Sequence, residues 1–250
     1  MRRFYIEKII EKDGHVVISG PEARHISRVL RMGRGDHIII MDKKGRRFEA
    51  AIQSVDNREL RVRIVGSAPQ PLPSPVKIDV CQALLRSRPM DYLIEKTSEL
   101  GIHRITPFFS ERTIIRMDKS RAEGKIRHWR EISHSAAKQA DRFKPAEIAD
   151  PVSFKALMDR WEKETVLKII LWEREGSIDL KNFLRSNPPE DSLVGMIGPE
   201  GGFSDHEVMS AEKAGFVSVS MGRRLLRAET ASITFVAVVQ YEWGDLSLGG

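Results

Sequence analysis

Apolar and polar positions along this chain fall into two regimes. In the first 68 residues the apolar runs are short, and some alternate strictly with polar ones. Leu60, Val62 and Ile64 are separated by Arg61 and Arg63, the period of a strand with one buried face. Val16, Val17 and Ile18 make another short strand, residues 37–41 a third and residues 48–52 a fourth, with a hairpin turn expected at Asp42, Lys43, Lys44 and Gly45. Ala23, Ile26, Val29 and Leu30 recur at helical spacing, which predicts a helix over 21–30 and leaves Arg24, His25, Arg28 and Arg31 outside its apolar stripe. Several short strands with one helix predict a small β-barrel, a fold that often binds nucleic acid without proving that it does.

The second regime starts after a proline-rich stretch. Pro69, Pro71, Pro73 and Pro75 stand at every second position, a spacing that neither a helix nor a central strand accepts. An extended, semi-rigid linker over 69–75 is therefore expected between domains at 1–68 and 76–250. Beyond it, strand-like and helix-like segments alternate, the pattern of an α/β sheet. Strands are predicted at 78–84, 102–108, 166–171, 193–197 and 217–220. Helices are predicted from Pro89 to Leu100, over 118–140, from a Ser153 cap to about 163, from a Ser204 cap, and over 228–241. Ser204 and Glu207 have the spacing of a capping box.

Two of those strands run into loops that look built for a ligand. Ile197 leads into Gly198, Pro199, Glu200, Gly201, Gly202 and Phe203, and the strand at 217–220 delivers Met221, Gly222, Arg223, Arg224, Leu225, Leu226 and Arg227. A third strand ends at Leu171, Trp172 and Glu173. Ligands of open α/β sheets bind at the carboxyl ends of the strands, where glycines let the backbone come close. Three such ends together suit a flat heteroaromatic ligand.

Composition narrows the function classes. The chain has 250 residues, 41% of them hydrophobic, and no run long enough to span a membrane; its start is charged too soon for a secretory signal, so a cytoplasmic protein is expected. Cys81 is the single cysteine, which rules out an internal disulfide, and the scattered histidines show no metal-ligand spacing. Cys81 reads as a buried apolar residue on a strand. Residues 1–68 carry 15 Lys and Arg against 9 Asp and Glu, whereas residues 69–250 carry 26 of each, so the whole net charge of +6 sits in the first quarter. A basic domain beside a neutral one suggests a module that docks on a polyanion.

The motifs Met90-Asp91-Tyr92-Leu93-Ile94-Glu95-Lys96-Thr97-Ser98-Glu99-Leu100-Gly101, Ser110-Glu111-Arg112, Ile197-Gly198-Pro199-Glu200-Gly201-Gly202 and Leu225-Leu226-Arg227-Ala228-Glu229-Thr230-Ala231 closely resemble the RsmE family, as does His25-Ile26-Ser27-Arg28-Val29-Leu30-Arg31. Those are SPOUT-class methyltransferases that use S-adenosyl-L-methionine to methylate N3 of a uridine in bacterial 16S rRNA of the small ribosomal subunit. The resemblance implies a PUA-like barrel followed by an α/β domain with a C-terminal trefoil knot, a rare exception to unthreaded chains. It also implies a homodimer. The cofactor loops it implies comprise Leu171, Trp172, Glu173, Ile197, Gly198, Pro199, Gly201, Gly202, Ser220, Met221, Gly222, Leu225, Leu226 and Thr230. The absence of G-x-G-x-x-G fits a knotted site better than a Rossmann one.

Methylation of a uridine imide needs a base for the N3 proton and a cation for the charge that gathers on O2 and O4. Arg227 is expected to be that cation, with Glu200 or Glu229 as base or orienter, although a carboxylate in a helix's first turn is favoured by the dipole anyway. Arg24, His25, Arg28, Arg31, Arg112 and Arg142 are expected at the RNA, with Arg86 and Arg88 as further phosphate contacts. One departure stands out: Lys138 occupies a position before Gln139 where the family usually shows an acid. Rival readings are a SPOUT methyltransferase acting on another RNA and a non-catalytic RNA-binding or assembly protein.

Overall fold

A computed structural model describes residues 1–6, 11–12, 14–42, 46–56, 59–115, 119–142 and 144–246. The chain divides into two compact units, Met1–Leu72 and Pro73–Gly250.

The first unit is a six-stranded sheet. Its strands are β1 (Arg2–Tyr5), β2 (Glu11–Lys12), β3 (His15–Ser19), β4 (His37–Met41), β5 (Arg47–Val55) and β6 (Glu59–Ser67), in the order β1-β4-β5-β6-β3-β2. Only β1 with β4 is parallel. The alternation in β6 is realised as expected, with Leu60 and Val62 buried between exposed Arg61 and Arg63. Register shifts at Glu49/Ala50 and Ile52/Ser54 bend β5, and the sheet curls over a core that includes Ile18, Ile38, Ile40, Ile52, Leu60 and Val62. The expected turn after β4 falls mainly on residues 43–45, outside the described residues. Its flanks are joined by the Arg46 amide and guanidinium, which donate to Asp42 at 3.0 and 2.8 Å.

The expected helix over 21–30 is two pieces. Helix α1 (Gly20–Arg24) passes into a π-helical turn at His25–Val29, closed by the Leu30 amide on the His25 carbonyl at 3.0 Å. That i to i+5 bond admits one more residue per turn than an α-helix and breaks the spacing read from the sequence. Ala23 and Ile26 are buried as expected, but Val29 is 67% exposed. The turn ends at Arg31, which adopts a left-handed φ of 53°.

The second unit is a parallel sheet with helices on both faces. Strands β7 (Lys77–Ala83), β8 (Arg104–Phe109), β9 (Glu147–Ile148), β10 (Val152–Ser153), β11 (Leu167–Leu171), β12 (Ser192–Ile197) and β13 (Val217–Val219) lie in the order β10-β8-β7-β12-β11-β13, with β9 also on β8. Parallel neighbours need crossover helices, and five of this unit's six helices among the described residues provide them, the sixth following the last strand. Helices α2 (Ser87–Glu99), α3 (Lys119–Gln139), α5 (Leu180–Ser186) and α7 (Ala228–Trp243) pack into one core. Helices α4 (Phe154–Trp161) and α6 (Asp205–Lys213) pack into the other. Helix α2 starts before Pro89, because a proline in the first turn forfeits only an amide that has no helical partner there. Helix α5 escaped the sequence reading, although Leu180, Phe183 and Leu184 share a face and Asp179 caps it by accepting the Asn182 amide.

Two packing details fix the working edge. Gly195 of β12 has no side chain because Phe235 of α7 occupies the space: a Cβ there would stand 2.3 Å from the ring. Removing that ring would cost about 3–5 kcal/mol, as for other large core aromatics. Cys81 is buried in β7 as expected, its sulfur accepting from Trp161 Nε1 at 3.2 Å, and burial pushes its thiol up to about 12. Among the described residues no helix is long and apolar enough to cross a membrane, and no cluster of His, Cys, Asp and Glu could hold a metal.

Candidate active site

Because β11, β12 and β13 are parallel neighbours, their carboxyl ends emerge at one edge of the sheet. Between them lies a cleft of about 870 Å³. Leu171, Trp172 and Glu173 form one wall, residues 197–203 a second and residues 221–229 a third. This juxtaposition brings together nearly all the residues nominated for the cofactor.

The second wall is shaped by its glycines. Gly202 has φ +68°, and a Cβ there would come within 2.6 Å of Glu173 Oε1; at Gly198 it would press on the Phe203 ring at 3.2 Å. The turn is closed by the Gly202 amide on the Pro199 carbonyl at 2.9 Å. Phe203 anchors it below, fully buried and stacked on Phe108. Gln82, at the end of β7, holds it from behind, donating to the Gly198 carbonyl at 3.3 Å and accepting from Ser232 of α7. Helix α6 then starts with the expected capping box, Ser204 with Glu207.

The third wall ends at Arg227, the N-cap of α7, whose side chain makes no capping bond and instead lines the cleft. Glu229 lies in the first turn of α7 and lines the cleft beside it. Glu200 lies on the turn of the second wall, where its Oε1 accepts the Arg86 amide at 3.4 Å. Arg86 is the N-cap of α2, so Glu200 places its negative charge at the positive end of that helix. All three residues nominated for the chemistry thus share the cleft.

Two cofactor nominees lie elsewhere. Ser220 is tied into the backbone, its amide on the Ile178 carbonyl at 2.8 Å and its own carbonyl accepting from Leu180 at 2.9 Å. Thr230 is exposed on α7 and is not part of the cleft lining. The lining also includes Arg86, Pro89, Ile114, Phe203, Arg223 and Arg224. Of these, Ile114 carried the faintest signal, one of two adjacent isoleucines shortly after Ser110, and it is 71% exposed.

The RNA nominees separate into three groups. Arg24, His25, Arg28 and Arg31 are all exposed on α1 and the turn that follows, in the first unit. His25 also packs edge-on against Phe4. In the second unit, Arg112 is exposed and its Nη1 donates to the Gly201 carbonyl at 2.9 Å, so it borders the second wall. Arg142, expected at the RNA, instead turns inward. Its Nη1 and Nη2 donate to the Ser98 and Ile102 carbonyls at 2.9 and 2.7 Å, and burial lowers its pKa. It reinforces the Ser98 carbonyl, which also accepts the Gly101 amide at 3.4 Å, and engages the Ile102 carbonyl just beyond the end of α2.

The cleft fits a nucleoside-sized ligand on its own evidence. Trp172, in a cleft wall, has a buried Nε1 donor with no hydrogen-bond partner among the described residues, and the turn at 198–202 is a cradle that side chains would fill. Apolar Met221, Leu225 and Leu226 face it across the opening.

Comparison with known proteins gives this geometry a class. A family model for an RNA methyltransferase domain matches residues 72–240, and one for an RNA methyltransferase PUA domain matches residues 18–65. The class is therefore that of RNA methyltransferases with a PUA domain. Relatives are similar over almost the whole chain: ribosomal RNA small subunit methyltransferase E of Bacillus subtilis is 29% identical across 97% of both chains, and that of Buchnera aphidicola subsp. Schizaphis graminum 30% across 98% of both. A crystal structure of a ribosomal RNA small subunit methyltransferase E from Neisseria gonorrhoeae bound to S-adenosyl methionine superposes with a TM-score of 0.80 at 28% identity, covering 99% of this chain and 100% of that one. The chain belongs to the ribosomal RNA small subunit methyltransferase E family, the RsmE family.

Proposed function

We propose that this protein transfers a methyl group from S-adenosylmethionine to N3 of a uridine in bacterial 16S ribosomal RNA. The observation that carries this reading is the meeting of three strand ends at one cleft that also holds Arg227, Glu200 and Glu229. When bound, S-adenosylmethionine supplies a methyl group on a positively charged sulfur. Residues 171–173, 197–202 and 221–226 would hold it, with backbone at the glycine turn and the Trp172 indole N–H available as a donor.

The chain's own side chains handle the proton and the charge. Uridine N3 carries a hydrogen, which leaves as the N–CH3 bond forms, and the electrons it releases spread onto O2 and O4. Arg227, with no cap to satisfy, stabilises that charge. Glu200 or Glu229 takes the proton. The products are 3-methyluridine and S-adenosylhomocysteine.

Docking of the RNA falls to the first unit, through Arg24, His25, Arg28 and Arg31, with Arg112 at the edge of the donor wall. A basic docking module at 1–68, a linker at 69–75 and a catalytic domain at 76–250 complete the reading. The family resemblance extends it to a homodimer with a knotted catalytic domain, acting in the cytoplasm on the small ribosomal subunit.

The test is to incubate the protein with S-adenosylmethionine and either 30S subunits or naked 16S rRNA, digest the RNA, and search for 3-methyluridine by mass spectrometry. No methyl transfer to either substrate refutes the reading. Arg227→Ala should abolish transfer and leave donor binding by calorimetry nearly unchanged; loss of donor binding instead would show that Arg227 belongs to the donor site.

A further inference from the structure

The turn at 198–203 is held by more than the strand before it and the helix after it. Strand β8 ends at Phe109, and Ser110, Glu111 and Arg112 run beside the start of α6. Glu207, in the first turn of that helix, is fully buried. Its Oε2 accepts the Ser204 amide at 3.0 Å, which is all that a capping box asks of it. The same oxygen also accepts Ser110 Oγ at 3.2 Å, and Oε1 accepts the Glu111 amide at 3.0 Å. Two of its three bonds therefore reach a segment nearly a hundred residues away.

Further contacts tie that segment to the same wall. Glu111 Oε1 lies 3.1 Å from His206 Nδ1, and Arg112 Nη1 grips the Gly201 carbonyl at 2.9 Å. Residues 110–112 are thus fastened to α6 at one end and to the middle of the glycine turn at the other. A buried carboxylate with three donors is a stiff joint, because losing it strands donors away from water.

We propose that Glu207 is a positioning residue that couples the two substrates: it holds residues 110–112, and with them the Arg112 guanidinium, against the donor wall. The proposal rests on the cleft being the methyl-donor site and on Arg112 meeting RNA. Ordering of the turn by a donor then orders Arg112 through the Gly201 carbonyl, provided that Glu207 anchors the start of the segment. The turn keeps its own bonds, from Gly202 to Pro199 and from Gln82 to Gly198, whatever happens at Glu207. Removing the Glu207 carboxylate therefore uncouples the two elements and leaves the donor wall standing.

Glu207→Gln is the variant of choice, since it keeps the shape but turns an amide N–H toward groups that are themselves donors. Hydrogen exchange of the full chain, with S-adenosylhomocysteine as the probe, reads the coupling directly. In the wild type the probe should slow exchange at 198–203 and also at 110–113. In Glu207→Gln the slowing at 198–203 should persist and that at 110–113 should vanish, with unliganded exchange there about tenfold faster, the scale of one lost bond to a charged group. KM for the RNA should rise while KM for the donor stays within about twofold, a split that a purely structural cap does not produce. Equal slowing at 110–113 in wild type and variant overturns the proposal. Slowing confined to 198–203 in the wild type also overturns it and leaves the donor site intact, whereas no slowing anywhere refutes the donor site itself. If Glu207→Gln does not fold, Ser110→Ala removes one of the same bonds, and unchanged coupling in it is the refuting result.

Discussion

Arg142 offers the sharpest test of the division between docking and structural cations. Its guanidinium donates to two backbone carbonyls, of Ser98 and Ile102, at the point where α2 ends and the chain turns toward β8. Arg142→Ala removes both bonds, leaving the Ser98 carbonyl with only the Gly101 amide at 3.4 Å and taking the guanidinium from the Ile102 carbonyl. Bonds to a charged group contribute about 1.5–3 kcal/mol each, and partial exposure lowers the sum, so a loss of about 3 kcal/mol is expected. For a unit of this size that corresponds to a fall in Tm of about 6–12 °C. Arg142→Lys should recover about half, because an ammonium cannot present two N–H groups in a fixed fork. Thermal melts by circular dichroism check the stability, and RNA affinity is measured against salt at a temperature where every variant is folded. Arg28→Ala serves as the opposite case, with Tm unchanged, RNA affinity reduced and the salt slope shallower by about one charge. The reasoning is refuted if Arg142→Ala behaves like Arg28→Ala, melting within about 2 °C of the wild type while losing RNA affinity and salt dependence.

Other outcomes follow from single contacts. Gly202→Ala should weaken S-adenosylmethionine binding about tenfold or more, since it adds a strained φ of +68° to a Cβ 2.6 Å from Glu173 Oε1. Gly222→Ala, also at positive φ but facing open space, should weaken it less, and equal losses in calorimetry would show that the Glu173 contact is irrelevant. Cys81, its thiol pushed up to about 12 by burial, should resist a disulfide reagent at pH 8 until the protein is unfolded by denaturant; rapid labelling of the native protein would contradict the burial. The Glu111 carboxyl is held below its ordinary value by a bond from Ser204 first and by His206 second, with Arg112 adding charge. Its folded pKa is therefore the lower one, and its contribution is present above the ordinary carboxylate range and lost as pH falls through the folded value. Exchange at 110–113, corrected for intrinsic rates, should accelerate as pH falls below the ordinary carboxylate range, and a flat profile would refute the link.

What could be read from the chain was whatever depends on neighbours in sequence. The alternation in β6 and the Ser204 with Glu207 box are both local, and each has its expected counterpart in the structure. The turn at 198–202 was legible as a place where backbone comes close, because glycine accepts the positive φ that Gly202 adopts. The helix over 21–30 was misread in one respect only, since a single inserted residue in the π-helical turn changes the face on which Val29 sits without changing the composition.

The rest required the third dimension. Arg142 bonds carbonyls 40 and 44 positions away, and Gln82 and Glu207, beyond their bonds to near neighbours, reach partners 96 to 150 positions away, which nothing beside them in sequence announces. An arginine on a helix end reads the same whether it meets phosphate or a buried carbonyl. Residue types in the loops were enough to point to the kind of chemistry and to the family that carries those loops. Which loops share a cleft and which charges are already engaged came only with the fold, because strand order and burial arise from contacts among segments that are strangers in sequence.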